Sequence, residues 1–517
     1  MDEKEVKFWR DKGVIERSGG TLESAMLSYR VLGVDPENIE LLMKARDKNL
    51  EVEYDKLVRT QEQIEAQIRN EVFMYLATKE RGKATEIIVK YIMQNNHIYT
   101  TKNDEKPEIW IYNNGIYSPN GESIIKEITR LILKEAYTSH LCSDIIAKIR
   151  ADTFIEPIKF FSINYRDEIL VQNGILNVST RELYPYTPNK IFFNKCPVIY
   201  NPIAKCDVID SFISDILANS EDRLVFYEIG GFCLLKEYTF EKAFMFVGSG
   251  RNGKGKSLEL IKRVVGPENC YSLPLAALQH DNADVAQLFG KMVNLAGDIG
   301  ISDLKDTSMF KGLTGRDLIT AKRKFLTAIT FENYAKFIFA CNDLPRVYDL
   351  SKGFWDRWVL LEFPFYFASK EEWEALSEEE RNKLKYKLRD EDIINKIATP
   401  EQLSGLLNAF LDGLDRLKTN HKFSSTKGTE EIKNMWIRKS DSFMAFCMDF
   451  IEEDYQGYIL KKDIRTKFAK YCREHKLKNT SDKSIKVTLE NNYGVSDGRK
   501  EVFGGYWEFA WEGIKWK

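Results

Sequence analysis

The spacing of apolar and polar positions divides the chain into four stretches. Residues 1–84 are highly charged and read as helical. Asp35 can cap a helix with Pro36 in its first turn. Leu41, Leu42 and Ala45 carry that helix towards Leu76 with so few apolar positions that it suits a surface, or docking on a partner. Residues 85–205 read as an α+β domain. Residues 87–93 have the apolar face of a helix, and Ile109-Trp110-Ile111-Tyr112, Asn113-Asn114-Gly115 and Ile116-Tyr117 predict strand, turn and strand. A second pair of apolar runs, over 169–178, surrounds Asn173-Gly174. Pro185, Pro188, Pro197 and Pro202 then break regular structure. Residues 206–425 alternate apolar strands with helices, the pattern of an α/β fold with its sheet between helices. Within this stretch, 371–392 reads as charged helix. Residues 440–517 predict helices over 442–452, 461–475 and 483–491, then strands around 496–498 and over 506–511, which is the order of a winged helix.

Charge sharpens this picture. With 76 Lys+Arg against 78 Asp+Glu the 517-residue chain carries a net charge of -2, which excludes a uniformly basic nucleic-acid binder but not a local basic surface. Residues 455–486 hold such a surface, with ten Lys or Arg against three Asp or Glu, the electrostatic footprint of DNA binding or of an ordinary solvated face. No apolar run approaches the ~18 residues a membrane span needs, and the charged N-terminus does not read as a secretory signal. Eight scattered cysteines without a C-x-x-C pair, and five histidines, argue against a zinc site and fit a reducing cytoplasm.

The candidate chemistry lies in the α/β stretch. Ala243-Phe244-Met245-Phe246-Val247 predicts a buried strand, and Gly250, Arg251, Asn252, Gly253, Lys254, Gly255, Lys256 and Ser257 complete G-x-x-x-x-G-K-[ST] before a helix that ends at Gly266-Pro267. Glycines let such a loop turn its N–H groups towards phosphate oxygens, and the following helix adds its positive end. In this frame Lys256 reaches the β- and γ-phosphates of ATP and the Ser257 hydroxyl holds Mg²⁺. A second apolar run ends in Asp298, a candidate carboxylate for Mg²⁺ and for polarising the attacking water. A third ends in Asn342-Asp343-Leu344-Pro345, where Asn342 either orients that water or only makes a turn. Arg357, between Trp355 and Trp358, either reaches a neighbour's γ-phosphate or stacks on tryptophan. Between these lie two β-prone arms around Lys322, Arg323 and Lys324, a hairpin tip suited to a phosphate backbone or to plain solvation.

At these residues the chain resembles the superfamily-three helicases, in the phage and plasmid primase-helicase branch that includes the poxvirus primase-helicase. The order of phosphate loop, Asp298, Lys311-Gly312-Leu313-Thr314-Gly315-Arg316-Asp317, basic hairpin and Asn342-Asp343-Leu344-Pro345 is that branch's order. Gln172-Asn173-Gly174 and Tyr184-Pro185-Tyr186-Thr187-Pro188 resemble the domain that precedes the helicase, and Gly405-Leu406-Leu407-Asn408 the helix that closes its core. The resemblance implies an AAA+-type P-loop ATPase core, and a homo-hexameric ring that passes single-stranded DNA through its pore. It also implies Arg357 as an arginine finger from the adjacent subunit, duplex contact through the C-terminal winged helix, and a role in replicating a virus, plasmid or integrated element beside a separate primase or polymerase. Two departures stand out. Gly297 precedes Asp298 where the family has a second acid, and no primase domain is legible in residues 1–84. Asp390-Glu391-Asp392 reads as surface charge. The missing acid keeps open a DNA-bound loading or regulatory ATPase that does not unwind. A transcriptional regulator with a vestigial phosphate loop is a third reading.

Overall fold

The predicted turn at Asn114-Gly115 sets the geometry of the first sheet. In the computed structural model, which describes residues 51–103, 107–162, 165–279, 282–297, 303–322, 328–475, 477, 479–502 and 505–517, Asn114 (φ 47°) and Gly115 (φ 97°) both adopt left-handed backbone. A two-residue turn matched to the twist of its strands needs that conformation at both positions. The chain divides into two compact units. One holds residues up to Tyr165 with Asn173–Leu176 and Leu183–Lys195, the other Arg166–Gln172, Asn177–Glu182 and Cys196–Lys517.

The first unit runs α1 (Glu51–Ala77), α2 (Arg81–Asn95), β1 (Ile98–Thr101), β2 (Ile109–Asn113), β3 (Ile116–Ser118), α3 (Gly121–Leu133), α4 (Ser139–Asp152) and β4 (Phe154–Ile155). Its sheet has the order β3-β2-β1-β4, with β4 parallel to β1. Ile88 and Ile92 of α2, Ile125, Ile128 and Ile132 of α3, and Ile145 and Ile149 of α4 meet in one buried cluster. Their three- and four-residue spacings put each set on one helix face. The start of the helix expected over 35–76 lies outside the described residues, and α1 covers the remainder.

The second unit is built on a parallel sheet. After α5 (Asp207–Ile216) and α6 (Ser220–Leu234) come β5 (Ala243–Val247), α7 (Lys254–Val265), β6 (Cys270–Tyr271), β7 (Val293–Ala296), the antiparallel hairpin β8 (Leu318–Ala321) and β9 (Ile329–Glu332), then β10 (Lys336–Cys341) and β11 (Trp358–Glu362). The sheet order is β11-β5-β10-β7-β6, with every pairing parallel. A parallel sheet covered on both faces needs unbroken apolar strands, and every residue of β5 and β10 is buried. In chain order the strands read fifth, first, fourth, third, second, an arrangement consistent with an AAA+-like core. Helix α8 (Pro400–Asn420) closes it against α6, where a Cβ on Gly231 would lie 2.2 Å from the Phe410 carbonyl oxygen.

Two expectations change. Residues 371–392 are not one helix. Ser369 and Ser377 each form a capping box, with Glu372 and Glu380, and so start two short helices, Lys370–Glu374 and Glu378–Leu384. The strands β12 (Tyr366–Ala368) and β13 (Tyr386–Leu388) flank them as a parallel pair. At the C-terminal end, α9 (Thr429–Ser440) and α10 (Ser442–Phe450) lead into a strand that the pattern did not announce, β14 (Ile451–Leu460). Its run of acidic and polar residues hides the alternation. The helices α11 (Lys461–Glu474) and α12 (Asp482–Tyr493) and the strands β15 (Ser496–Val502) and β16 (Tyr506–Trp516) follow, and the sheet has the order β14-β16-β15. No helix among the described residues is long and apolar enough to cross a membrane.

One buried charge is tied to the central strand. Lys336 opens β10 with 0% exposure. Its Nζ donates to the carbonyl oxygens of Leu235 and Tyr334 and lies 4.7 Å from the Phe232 ring centre. Burial pushes its pKa down from 10.5 to about 7. Since the unfolded chain binds this proton up to about pH 10.5 and the folded chain only to about 7, the associated stability is present above 10.5 and is lost as pH falls through 7. We expect the urea-unfolding free energy of the wild type to rise between these limits relative to Lys336→Met. Parallel curves for the two proteins would contradict the assignment.

Candidate functional site

The site forms where β5 ends and the chain cannot continue as strand. A Cβ on Gly248 would meet Asn252 Nδ2 at 2.0 Å and the Phe363 carbonyl oxygen at 2.7 Å, so the loop closes tightly at its first residue. Gly250 and Gly253 both have φ 91°, a left-handed region that glycine occupies without strain. Asn252 is buried within the curl. Its Nδ2 donates to Phe363 O at 3.4 Å and its Oδ1 accepts from the Lys254 N–H at 3.4 Å. Gly253 is the N-cap of α7, and a Cβ there would strike Ile216 Cγ2 of α5 at 2.5 Å.

Lys254 is therefore the first residue of α7, and its ammonium turns back over the loop. Nζ donates to the Gly248 carbonyl oxygen and to Asn342 Oδ1, the latter at 3.0 Å. Asn342 directly follows β10, the strand that lies between β5 and β7. Lys256 stands two positions on, about 200° around the helix, and is exposed. Ser257 is buried, and its Oγ donates to the Lys254 carbonyl oxygen at 2.7 Å, a bond within its own helix. Of the residues from Gly250 to Ser257 expected to cradle a phosphate, all but Ser257 line one cavity of about 950 Å³. The side chain that reaches Asn342 is that of Lys254, not Lys256. The loop's geometric frame starts at Gly248, and in it Gly255 occupies the place after the lysine.

The remaining candidates fall as follows. Asp298 lies outside the described residues, and Gly297 before it lines the cavity. Lys322 is exposed just past β8, at the tip of the hairpin, while Arg323 and Lys324 lie outside the described residues. Arg357 precedes β11, whose Trp358 pairs with Ala243 at the start of β5, whereas the glycine loop follows Val247 at its end. Arg357 thus sits at the opposite end of the sheet from its own chain's loop. Its Nε donates to Thr314 Oγ1 at 2.9 Å, and Nη2 to Glu241 Oε2 at 3.4 Å. Trp355 and Trp358 belong to the core, packed on Trp436 of α9.

The outer rim of the cavity was not legible as a motif. Asp390, Glu391 and Asp392, read from sequence as charge on a helix, stand in irregular chain after β13 and line the cavity. The Arg251 carbonyl oxygen accepts from Phe367 N–H at 2.7 Å, and its guanidinium reaches the Tyr366 hydroxyl and Glu372, each at 3.0 Å. Segment 366–395 thereby borders the loop, a relation that arises only on folding. Chemically, the loop side of the cavity offers the loop N–H groups, the positive end of α7, the ammonium groups of Lys254 and Lys256 and the Asn342 amide, a donor set suited to an anion of phosphate type.

Comparison with known proteins finds two family matches and distant relatives. Residues 37–218 match the family described as D5 N terminal like, and 246–357 match one described as a family of unknown function (DUF5906). A protein designated as a helicase in Acanthamoeba polyphaga mimivirus is 23% identical over 254 residues, covering 47% of this chain and 26% of its own length. Another so designated in Sputnik virophage is 22% identical over 366 residues, covering 67% of this chain and 44% of its own length. The chain thus spans between about a quarter and under half of these relatives. Among solved structures, the apo C-terminal region of NrS-1 aligns over 82% of this chain and 98% of its own, at 13% identity and a TM-score of 0.45. The D5-like match and the two relatives designated as helicases support the resemblance to the superfamily-three helicases of the phage and plasmid primase-helicase branch.

Proposed function

We propose that the chain is an ATP-dependent DNA helicase whose nucleotide lies in the cavity between the 248–254 loop and Asn342. The observation that carries this is the meeting of Lys254 with Asn342 above the ends of two adjacent parallel strands, the crevice in which open α/β sheets bind their ligands. The donor set fits the group. The N–H groups of the loop and the Lys254 ammonium hold the β- and γ-phosphates, and Lys254 exchanges its contact with Gly248 for phosphate oxygen. Asn342 then orients the attacking water. Asp298 would hold Mg²⁺, which supplies charge neutralisation on the phosphates when bound.

Arg357 serves a neighbour's nucleotide. Its position at the far end of β5 from its own loop favours that reading, and Thr314 and Glu241 fix its guanidinium. The site is then complete only between subunits, as a homo-hexameric ring would provide. Lys322, Arg323 and Lys324 would contact a single strand of DNA in the pore, and 440–517 would act as a winged helix on duplex. A DNA-bound loading ATPase that does not unwind is the second reading. Two glycines favour it: Gly297, where the family carries a second acid, and Gly255, where a hydroxyl would follow the lysine.

The discriminating experiment is ATPase and strand displacement on tailed duplexes of either polarity. Lys254→Ala is expected to lower ATP turnover by roughly 100-fold or more, and Lys256→Ala by less than about tenfold. The reverse ranking would restore the 250–257 frame. Turnover without displacement on either tail selects the loading ATPase. Arg357→Ala should bind nucleotide like the wild type yet lose about 10³-fold or more in turnover. Mixing it with Lys254→Ala should restore part of the rate, because some interfaces then pair an intact loop with an intact arginine. No recovery in mixed rings would remove Arg357 from the neighbour's site.

A further inference from the structure

The hairpin β15–β16 extends beyond its own core. The last rung with a buried residue pairs Gly498 with Ala510, and four more rungs follow, from Arg499 opposite Phe509 to Val502 opposite Tyr506. Opposed residues share a face and faces alternate along a strand, so Trp511, Phe509 and Trp507 form a stripe on one face at about 7 Å intervals. Trp511 is core at 4% exposure, but Phe509 is 56% and Trp507 65% exposed. A protruding two-stranded ribbon has no folding reason to spend two large rings on water.

Cations accompany the stripe. The Arg499 guanidinium lies 4.5 Å from the Phe509 ring centre, and Lys461 Nζ lies 3.9 Å from that of Trp511 and 5.8 Å from that of Phe509. Acids touch it as well. Glu501 stands opposite Trp507, and Asp497 pairs with Lys461 and Lys486. By contrast the helix that would enter a major groove, α12, has two lysines, and Lys486 is already paired with Glu490 and Asp497. Exposed rings with adjacent cations are the equipment for stacking unpaired bases and do not read base-pair edges.

We propose that the β15–β16 arm is a single-strand-binding element, with Trp507 and Phe509 stacking on unpaired nucleobases and Arg499 meeting the backbone. This rests on the reading that the chain acts on nucleic acid, and it replaces duplex docking as the role of that arm. The test uses the full chain with Lys322→Ala/Arg323→Ala/Lys324→Ala, so that the other hairpin contributes nothing. Fluorescence anisotropy follows labelled oligothymidylate, oligouridylate and a blunt duplex, each about 20 nucleotides or pairs long, within the range of known single-strand sites plus flanks. Adding Trp507→Ala/Phe509→Ala should weaken oligothymidylate binding tenfold or more and leave the duplex unchanged, while Trp507→Phe retains affinity. An equal loss with oligouridylate assigns the arm to single strands of either sugar, and a loss confined to oligothymidylate assigns it to DNA. Unchanged single-strand affinity, or an equal loss on duplex, overturns the proposal. So does a fall in oligomeric mass by light scattering, which would make the arm a contact with a second copy. ATPase with and without DNA is measured alongside. Its absence in the wild type with arm-dependent binding intact would sink the motor reading alone.

Discussion

The insertion of β10 between β5 and β7 is the constraint on which the site depends. Asn342 meets Lys254 only because the strand that carries it lies beside the strand that delivers the loop. Had the strands paired in chain order, β6 or β7 would stand beside β5 and the amide would lie at least one strand spacing, about 4.8 Å, further away. The placement is held from below by the full burial of β10, including the two carbonyl bonds of Lys336, and from the side by α5, whose Ile216 lies under Gly253. The loop's shape and its opposing amide are thus set by separate packing surfaces that agree.

Much of this was legible in the sequence, and the failures have physical causes. The strands β5 and β10 announce themselves because burial on both faces demands uninterrupted apolar residues. The turn at 114–115 does so because few residues accept two positive φ angles. The sequence reading takes Lys256 as the phosphate lysine, whereas the side chain that meets Asn342 is that of Lys254, because two overlapping frames share the same glycines. The frame with a complete signature ends in Lys256-Ser257, yet the helix starts at Lys254, where Gly253 takes a left-handed cap that Ile216 leaves room for. Helix onset is a tertiary outcome here. Strand β14 was hidden for another reason. Its burial pattern is largely exposed, so only pairing with β16 makes it a strand.

Charge gives a related lesson at the C-terminal end. The window 455–486 counts as strongly basic, but its partners lie just beyond it: Asp497 with Lys461 and Lys486, Glu508 with Lys462 and Glu490 with Lys486. Such exposed pairs add little to stability. They do cancel much of the field that a sum over contiguous sequence suggests, which is why the exposed rings carry more information about this region than its lysine count.

The strand order also governs how the chain is made. Both neighbours of β5 come late: β10 begins at residue 336 and β11 ends at 362, which is 362 − 247 = 115 residues after β5 ends. At the ~5–20 residues per second of synthesis, the five apolar residues wait for about 6 to 23 seconds before both edges of the strand are covered. During that interval Ala243–Val247 is a sticky segment of the nascent chain. The arrangement that brings Lys254 and Asn342 together therefore carries a biosynthetic cost, borne during every round of translation and absent once β11 has docked.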